Sequence, residues 1–278
     1  MIAAYIDILR PSNVVLFFMA IMLGAVMVKG LDALFIPGVW IAALSGTLIG
    51  GAANVINDVM DIEIDRINKP KRPIITGAIT EIEARRYWMT LNVVAVALAA
   101  VLSLEAFMMA AGSVPLMYAY SVYFKRKVFI GNLIVCLVIS LGFVYGAMAI
   151  GDLNGIWFPV IFSFFFNMGR EILKDLEDTT GDLAAGAETL AIRLGTRGTL
   201  RVVTLLFSGL ILVSLVPYVM GVYGKWYLFS VMLFCNSIVL FVIIRAWQVQ
   251  TKENFYRMNT ILKVAMLTGI ISIAVGRI

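Results

Sequence analysis

Nine apolar stretches, at about 11–29, 35–55, 84–104, 106–124, 129–150, 156–173, 199–220, 225–247 and 260–277, take up most of this chain. Such runs, roughly 17–25 residues each, match the length a helix needs to cross a bilayer. A lipid-exposed segment must satisfy its own backbone polar groups. Helices do so, and no alternating ten-residue pattern suggests a barrel. The expected fold is all-α: a polytopic membrane protein with nine transmembrane helices in a bundle. The composition agrees, with 62% hydrophobic residues and only 14% charged. Residues 1–10 carry Asp7 and Arg10 and lead directly into the first run without a signal-peptide cleavage pattern. Cys136 and Cys235 both lie in apolar runs and read as buried thiols, not a disulfide. The chain has no histidine, which removes imidazole bases, haem ligation and histidine zinc sites.

With nine spans, the connections alternate between two sides. Of the 22 Lys and Arg, only Lys29, Lys225 and Arg277 then fall on the side away from the N-terminus. The positive-inside rule makes the N-terminus and the long loops cytoplasmic, in a multi-pass protein of the cell membrane. Outer connections such as 30–34 and 151–155 are short. The inner connections at about 56–83 and 174–198 are long and polar, and long loops gathered on one face usually hold function.

Each of those loops carries an acidic stripe. The first is Asn54, Asp58, Asp61, Asp65 and the second is Glu171, Asp175, Asp178, Asp182. Both run i, i+4, i+7, i+11, which on a helix places all four side chains on one face. Like charges at that spacing oppose each other, so a cation should offset them. The two stripes share one offset and follow the second and sixth spans. This suggests a pseudo-repeat of four helices, about 1–124 and 129–247, plus an extra helix at 260–277, all within a single domain, 1–278. Repeats of this kind commonly place a substrate site at their interface. Gly181 is a candidate helix end, which would put Asp182 on a loop.

The first stripe is followed by Arg66, Lys69, Lys71 and Arg72. Carboxylates suit hard divalent ions, and Mg²⁺ is typically held by a few of them together with substrate phosphate oxygens. Arg and Lys then take the remaining phosphate charge. Carboxylates followed by cations is the order a metal–diphosphate site needs. A solvated face whose acids and bases merely pair is the plainer alternative, and Lys174 with Asp178 at i+4 fits it locally. Arg170 and Glu171 sit so close to an apolar run that a functional role is the default reading.

Asn57-Asp58-x-x-Asp61-x-x-x-Asp65 with Arg72-Pro73, and the later Asp175-x-x-Asp178-x-x-x-Asp182, resemble the two Asp-rich motifs of the UbiA superfamily of intramembrane prenyltransferases. The resemblance extends over nearly the whole chain. It implies an enzyme that transfers a prenyl group from its diphosphate with Mg²⁺ as cofactor. Within the superfamily, Arg10-Pro11-Ser12-Asn13 and the run from Arg170 to Asp178 look most like the archaeal branch that makes membrane ether lipids. That branch uses a geranylgeranyl diphosphate donor and geranylgeranylglyceryl phosphate as the acceptor alcohol.

On this resemblance, Asn57, Asp58, Asp61, Asp65, Asp175, Asp178 and Asp182 would hold the metal. Arg66, Lys69, Arg72 and Lys125 would neutralise the leaving diphosphate, with Asn54, Arg10 and Lys174 on the substrate side. The family's Tyr-x-x-x-Lys element falls in 118–127. Lys125 has Ser121 four places before it while Tyr123 stands four before Lys127, so which pair matches stays open. Phe143, Tyr145, Phe162, Phe164, Phe165 and Phe166 are candidates to line an apolar chamber around an allylic cation. The acceptor proton would pass to a stripe carboxylate or to diphosphate. An anionic acceptor would need further cations, with Arg10 and Lys127 as candidates. The rival readings are an aromatic prenyltransferase of quinone biosynthesis and, further off, a cation-coupled transporter.

Overall fold

The computed structural model describes residues 2–277, leaving the side chain of Arg277 outside the described residues. Those residues form helices and turns with no strand among them. A short helix α1 (Ile2–Ile8) precedes α2 (Pro11–Lys29), and a 3-10 turn (Gly30–Phe35) leads to α3 (Pro37–Met60). Then follow α4 (Ile62–Asn68), α5 (Glu81–Leu102), α6 (Leu104–Ala119), α7 (Ile130–Met148), α8 (Trp157–Ala184) and α9 (Leu190–Val213). The chain ends with α10 (Val216–Val219), α11 (Lys225–Ser230), α12 (Ser237–Gln248) and α13 (Lys252–Arg277). Wider π-turns join α6 to its polar end (Tyr120–Phe124) and α11 to α12 (Val231–Asn236).

Local chemistry accounts for the main boundaries. Pro11 and Pro37 sit at the first turn of α2 and α3, where a missing N–H costs nothing. Thr80 and Glu83 form a reciprocal capping box that opens α5. Gly195, with φ 65, breaks α9 after its first turn.

Seven helical segments among the described residues are long and apolar enough to cross a membrane. Two of the nine sequence runs fall short of that standard for separate reasons. Helix α6 has 16 residues, about 24 Å of rise, before its π-turn begins. Helix α8 is long enough at 28 residues, but carries Arg170, Glu171 and Lys174 in its middle. The expected break at Gly181 is also corrected, since α8 runs on to Ala184. Asp182 therefore sits on the helix with the rest of its stripe.

The first stripe is divided instead. Asp61, at φ −103 and ψ 13, is a joint between α3 and α4. The i→i−4 bonds continue across it, from Asp61 N–H to Asn57 (3.0 Å) and from Asp65 N–H to Asp61 (2.7 Å), so the acidic face survives the bend.

Packing follows a ring. Helix α3 lies between α2 and α5, α6 touches α3, α5 and α7, and α8 packs on α7, α9 and α13. Helix α13 closes the ring against α2 and α12. Among the glycine positions, the tightest backbone approach is between α2 and α7. A Cβ on Gly24 would overlap the Phe143 backbone, and one on Gly146 would overlap the Ile21 carbonyl. Without a water-driven hydrophobic term between spans, small residues at such crossings supply the contact. Cys136 and Cys235 are buried and free, as their apolar settings suggested.

Candidate active site

The ring of helices encloses a cavity of about 440 Å³. Its apolar wall includes Phe17, Ile49, Phe143, Tyr145, Phe162 and Phe166. Phe162 and Phe166 share a face at i, i+4, while Phe165 between them is 39% exposed and, like Phe164, is not among the lining residues. Four of the six candidate aromatics thus face the cavity.

At its polar end both acidic segments come together. Asp58, Asp61 and Asp65 are buried from the first, and Glu177 and Asp182 from the second. All of these but Asp182 are met by a cation or an amide. Arg10 Nη2 reaches Asp58 Oδ1 at 2.6 Å, and Arg72 pairs with the same carboxylate while lying 3.5 Å from Asp65 Oδ2. Lys69, four residues after Asp65, crosses to the other segment, where it pairs with Glu177 and lies 3.0 Å from Asp178 Oδ1. Lys125 pairs with Asp61, which also accepts from Asn57 Nδ2 at 2.9 Å. Asn132 Nδ2 donates to Asp175 at 3.2 Å. Asn54 donates to the Leu9 carbonyl and lines the cavity.

Several placements differ from the sequence reading. Arg66 lies on the exposed face of α4 beside Glu63 at 3.6 Å, outside the cluster. Neighbouring positions on a helix point about 100° apart, so burying Asp65 turns Arg66 outward. Lys174 bonds Glu171 at 3.3 Å and not Asp178. In the 118–127 segment, the π-turn sets Lys125 N–H on the Tyr120 carbonyl at 2.8 Å. Tyr120 is buried in the cavity wall, whereas Tyr123 is 66% exposed and Lys127 is on the surface. The inward pair is thus Tyr120 with Lys125, five apart and not four.

An uncharged clasp joins the two segments. Asn68, at the end of α4, donates to the Asp178 carbonyl (2.8 Å) and accepts from Gly181 N–H (3.2 Å). Gly181 makes room for it, because a Cβ there would stand 2.7 Å from Asn68 Cγ. Lys252 of α13 donates to the same Asn68 oxygen, and Asn259 holds Glu177 at 3.1 Å. No charge pattern marked Asn68, Asn132 or Asn259 in the sequence.

The electrostatics leave this end short of positive charge. Burial, then the negative field of Asp61, pushes the Asp65 carboxyl up to about 6. Burial followed by Asp178 does the same to Asp182, also to about 6. Asp178 goes the other way: burial would raise it, but Lys69 and Lys174 outweigh burial and hold it low. Asp65 Oδ2 and Asp178 Oδ1 are buried and, among the described residues, have no polar neighbour in reach beyond their ion pairs with Arg72 and Lys69. Among the described residues no three carboxylates converge on one point, and Asp58, Asp61, Glu177 and Asp178 are each drawn to a cation. Even so, an all-oxygen donor set with unused lone pairs and surplus negative charge fits a hard divalent ion.

A membrane bundle that sets carboxylates, Arg and Lys at the mouth of an apolar cavity can hold an anionic head group while its hydrocarbon tail stays dry. That is the architecture of an intramembrane enzyme acting on charged lipids.

Comparison with known proteins narrows the class. Residues 14–267 match the UbiA prenyltransferase family. The digeranylgeranylglyceryl phosphate synthase of Methanosphaera stadtmanae is 33% identical over 98% of both chains. A solved structure described as digeranylgeranylglyceryl phosphate synthase in membranes superposes with a TM-score of 0.73 at 27% identity, covering 99% of this chain and 98% of that one. A UbiA homologue from Archaeoglobus fulgidus, bound to GPP and Mg²⁺, shares the fold with a TM-score of 0.69 at 18% identity, covering 97% and 99%. This chain belongs to the UbiA prenyltransferase family, and it is a multi-pass membrane prenyltransferase.

Proposed function

We propose that this enzyme transfers a geranylgeranyl group from its diphosphate to the hydroxyl of geranylgeranylglyceryl phosphate, a step in building archaeal membrane ether lipids. The observation that carries the reading is the pairing of both acidic segments with Lys69, Arg72 and Lys125 at the mouth of an apolar cavity. The named function of the full-length relative supports the acceptor.

Asn57, Asp58, Asp61, Asp65, Asp175, Asp178 and Asp182 would hold Mg²⁺, which when bound offsets charge on the departing diphosphate. The diphosphate oxygens compete with the carboxylates for Lys69, Arg72 and Lys125. Those pairs open as the donor binds, and the freed carboxylate oxygens become available to metal. Lys69, Arg72 and Lys125 then stabilise the leaving group as the C–O bond to the prenyl carbon breaks. Phe143, Tyr145, Phe162 and Phe166 keep water from the allylic cation and present ring faces to it. The acceptor hydroxyl oxygen bonds that carbon, and its proton passes to a carboxylate of a stripe or to diphosphate. Arg66 has no part in this scheme because it faces outward.

We further read 1–278 as one domain of nine crossings, with the polar end cytoplasmic in the cell membrane. Within it, α2–α3–α5–α6 corresponds to α7–α8–α9–α12, and α13 is the added helix. The matching order of neighbours in the two halves supports this.

Purified protein given labelled geranylgeranyl diphosphate tests the reaction. Mg²⁺-dependent diphosphate release is expected, with transfer to geranylgeranylglyceryl phosphate in preference to 4-hydroxybenzoate and loss of turnover in EDTA. Preference for the aromatic acceptor would move the reading to quinone biosynthesis. No release from any prenyl donor would end the enzymatic account.

A further inference from the structure

Lys69, Arg72, Lys125, Arg10, Arg170 and Lys174 each pair with a carboxylate of an acidic segment. Lys263, near the middle of α13, pairs with no carboxylate among the described residues. Its Nζ donates to Ser12 Oγ at 2.7 Å, just past the start of α2. It lines the cavity with Arg10 and Arg170 and lies in the field of both and of Lys174, with Glu177 the one carboxylate opposing them.

Those two guanidinium groups are incompletely used. Arg170 is nine-tenths buried and touches one carboxylate, Glu171, through Nη1 at 2.9 Å. Among the described residues the Arg10 side chain pairs with Asp58 alone, and the Nε of each guanidinium is buried with no acceptor. A guanidinium offers five donors in a planar fork suited to two oxygens of one anion. Like charges crowded into a half-buried pocket, with donors to spare, are costly unless an anion joins them.

Arg10 is also held with φ 57 and ψ 72, directly before Pro11. A non-glycine residue in that left-handed region stores roughly 1–2 kcal/mol of strain. Here that backbone aims its side chain into the cavity.

We propose that Arg10, Arg170 and Lys263, with the Ser12 hydroxyl, form a second anion site that holds a phosphate monoester, the head group of the acceptor lipid. The assignment of that phosphate to the acceptor rests on the reaction proposed above. A phosphate monoester brings close to two negative charges and three strong acceptor oxygens. It would fill the free Nε donors and neutralise Lys263 without disturbing the cations that serve the diphosphate. The site belongs to α2, α8 and the last helix, while the diphosphate cations belong to the loops after α4 and α6. One cavity would thus keep two phosphorylated lipids in fixed places by separate groups of charge. An aromatic acceptor has no phosphate to place there, so these residues would set acceptor class.

The test uses the full chain in detergent and the variants Lys263→Met and Lys263→Arg. The first reading is binding of geranylgeranylglyceryl phosphate without donor or Mg²⁺, measured by calorimetry. Losing one charge-assisted contact should weaken binding about tenfold in Lys263→Met, with most of the loss restored by Lys263→Arg. Equal affinity in wild type and Lys263→Met would overturn the proposal, whether or not the protein turns over. The second reading is steady-state transfer to the phosphorylated acceptor and to its dephosphorylated alcohol. The preference for the phosphorylated acceptor should fall about tenfold in Lys263→Met, while the donor KM stays within twofold. A rise in donor KM with acceptor preference unchanged would assign Lys263 to the diphosphate and refute the second site. If wild type binds the phospholipid but transfers nothing to it, the reaction fails and the anion site stands.

Discussion

Replacing Gly181 by Ala should have opposite effects depending on residue 68. Gly181 lies inside α8, where Ala is ordinarily better than Gly by about 1 kcal/mol. In the native protein that gain is outweighed. The new Cβ would stand 2.7 Å from Asn68 Cγ and 2.9 Å from Oδ1, so the amide must leave its slot. Two hydrogen bonds between the segments go with it, to Asp178 and from Gly181, worth about 1 kcal/mol each, while half-buried Lys252 exchanges its contact with the amide for water at little cost. Residual crowding adds about another 1 kcal/mol. The net cost is then about 2 kcal/mol. Asn68→Ala alone loses the same two bonds and should cost about as much.

In the double variant the Cβ meets an empty slot, and only the helix gain remains. It should be about 1 kcal/mol more stable than either single variant, a coupling of about 3 kcal/mol. Thermal unfolding of the four proteins in detergent reads the order directly. The Mg²⁺ concentration giving half-maximal transfer should rise about tenfold in both single variants, because the clasp positions Asp178. A double variant less stable than both singles would refute the reasoning, since simple addition would mean that Gly181 and Asn68 do not share one slot.

Other outcomes follow from the same geometry. Asp178→Asn or Asp61→Asn should lower transfer by 10²-fold or more while the protein still inserts and binds detergent normally, as rate assays and gel filtration would report. Gly146→Ala pushes a methyl into the Ile21 carbonyl, so it should cost about 1–3 kcal/mol, read as a lowered unfolding temperature. Arg66→Ala should change turnover less than twofold, whereas Lys69→Ala leaves Glu177 and Asp178 without their shared cation and should lower it by at least tenfold. Equal losses in those last two variants would show that exposure does not separate their roles.

The acidic residues were legible because charge at i, i+4, i+7, i+11 is a pattern that helix geometry gives meaning to. Their cations were legible only as a neighbourhood. Arg66 and Lys69 stand three apart with the same charge, and only the burial of Asp65 decides which one turns inward. The amide residues left no such trace. Asn68, Asn132 and Asn259 meet partners 110, 43 and 82 positions away, and an isolated Asn has no periodicity to announce it. Gly181 misled for a related reason. A glycine near a helix end usually marks the stop, but here it serves a side chain arriving from another segment, which no local rule contains. The choice of Tyr120 with Lys125 turned on the wider π-turn, a backbone feature without a sequence signature.

The contact of α2 with α7 has a consequence for how such an enzyme can change its substrates. Gly24 and Gly146 bring the backbones together with no side chain between them, so the spacing of this crossing cannot be changed by trimming a side chain. Any lengthening or shortening of the accepted hydrocarbon is written in side chains away from the crossing, such as Phe17 and Phe143 on these two helices and Leu210, Tyr227 and Ile273 on α9, α11 and α13, which line the same space. Tail length and head-group chemistry would then diverge independently, one set by the apolar side chains of the chamber and the other by its charged rim.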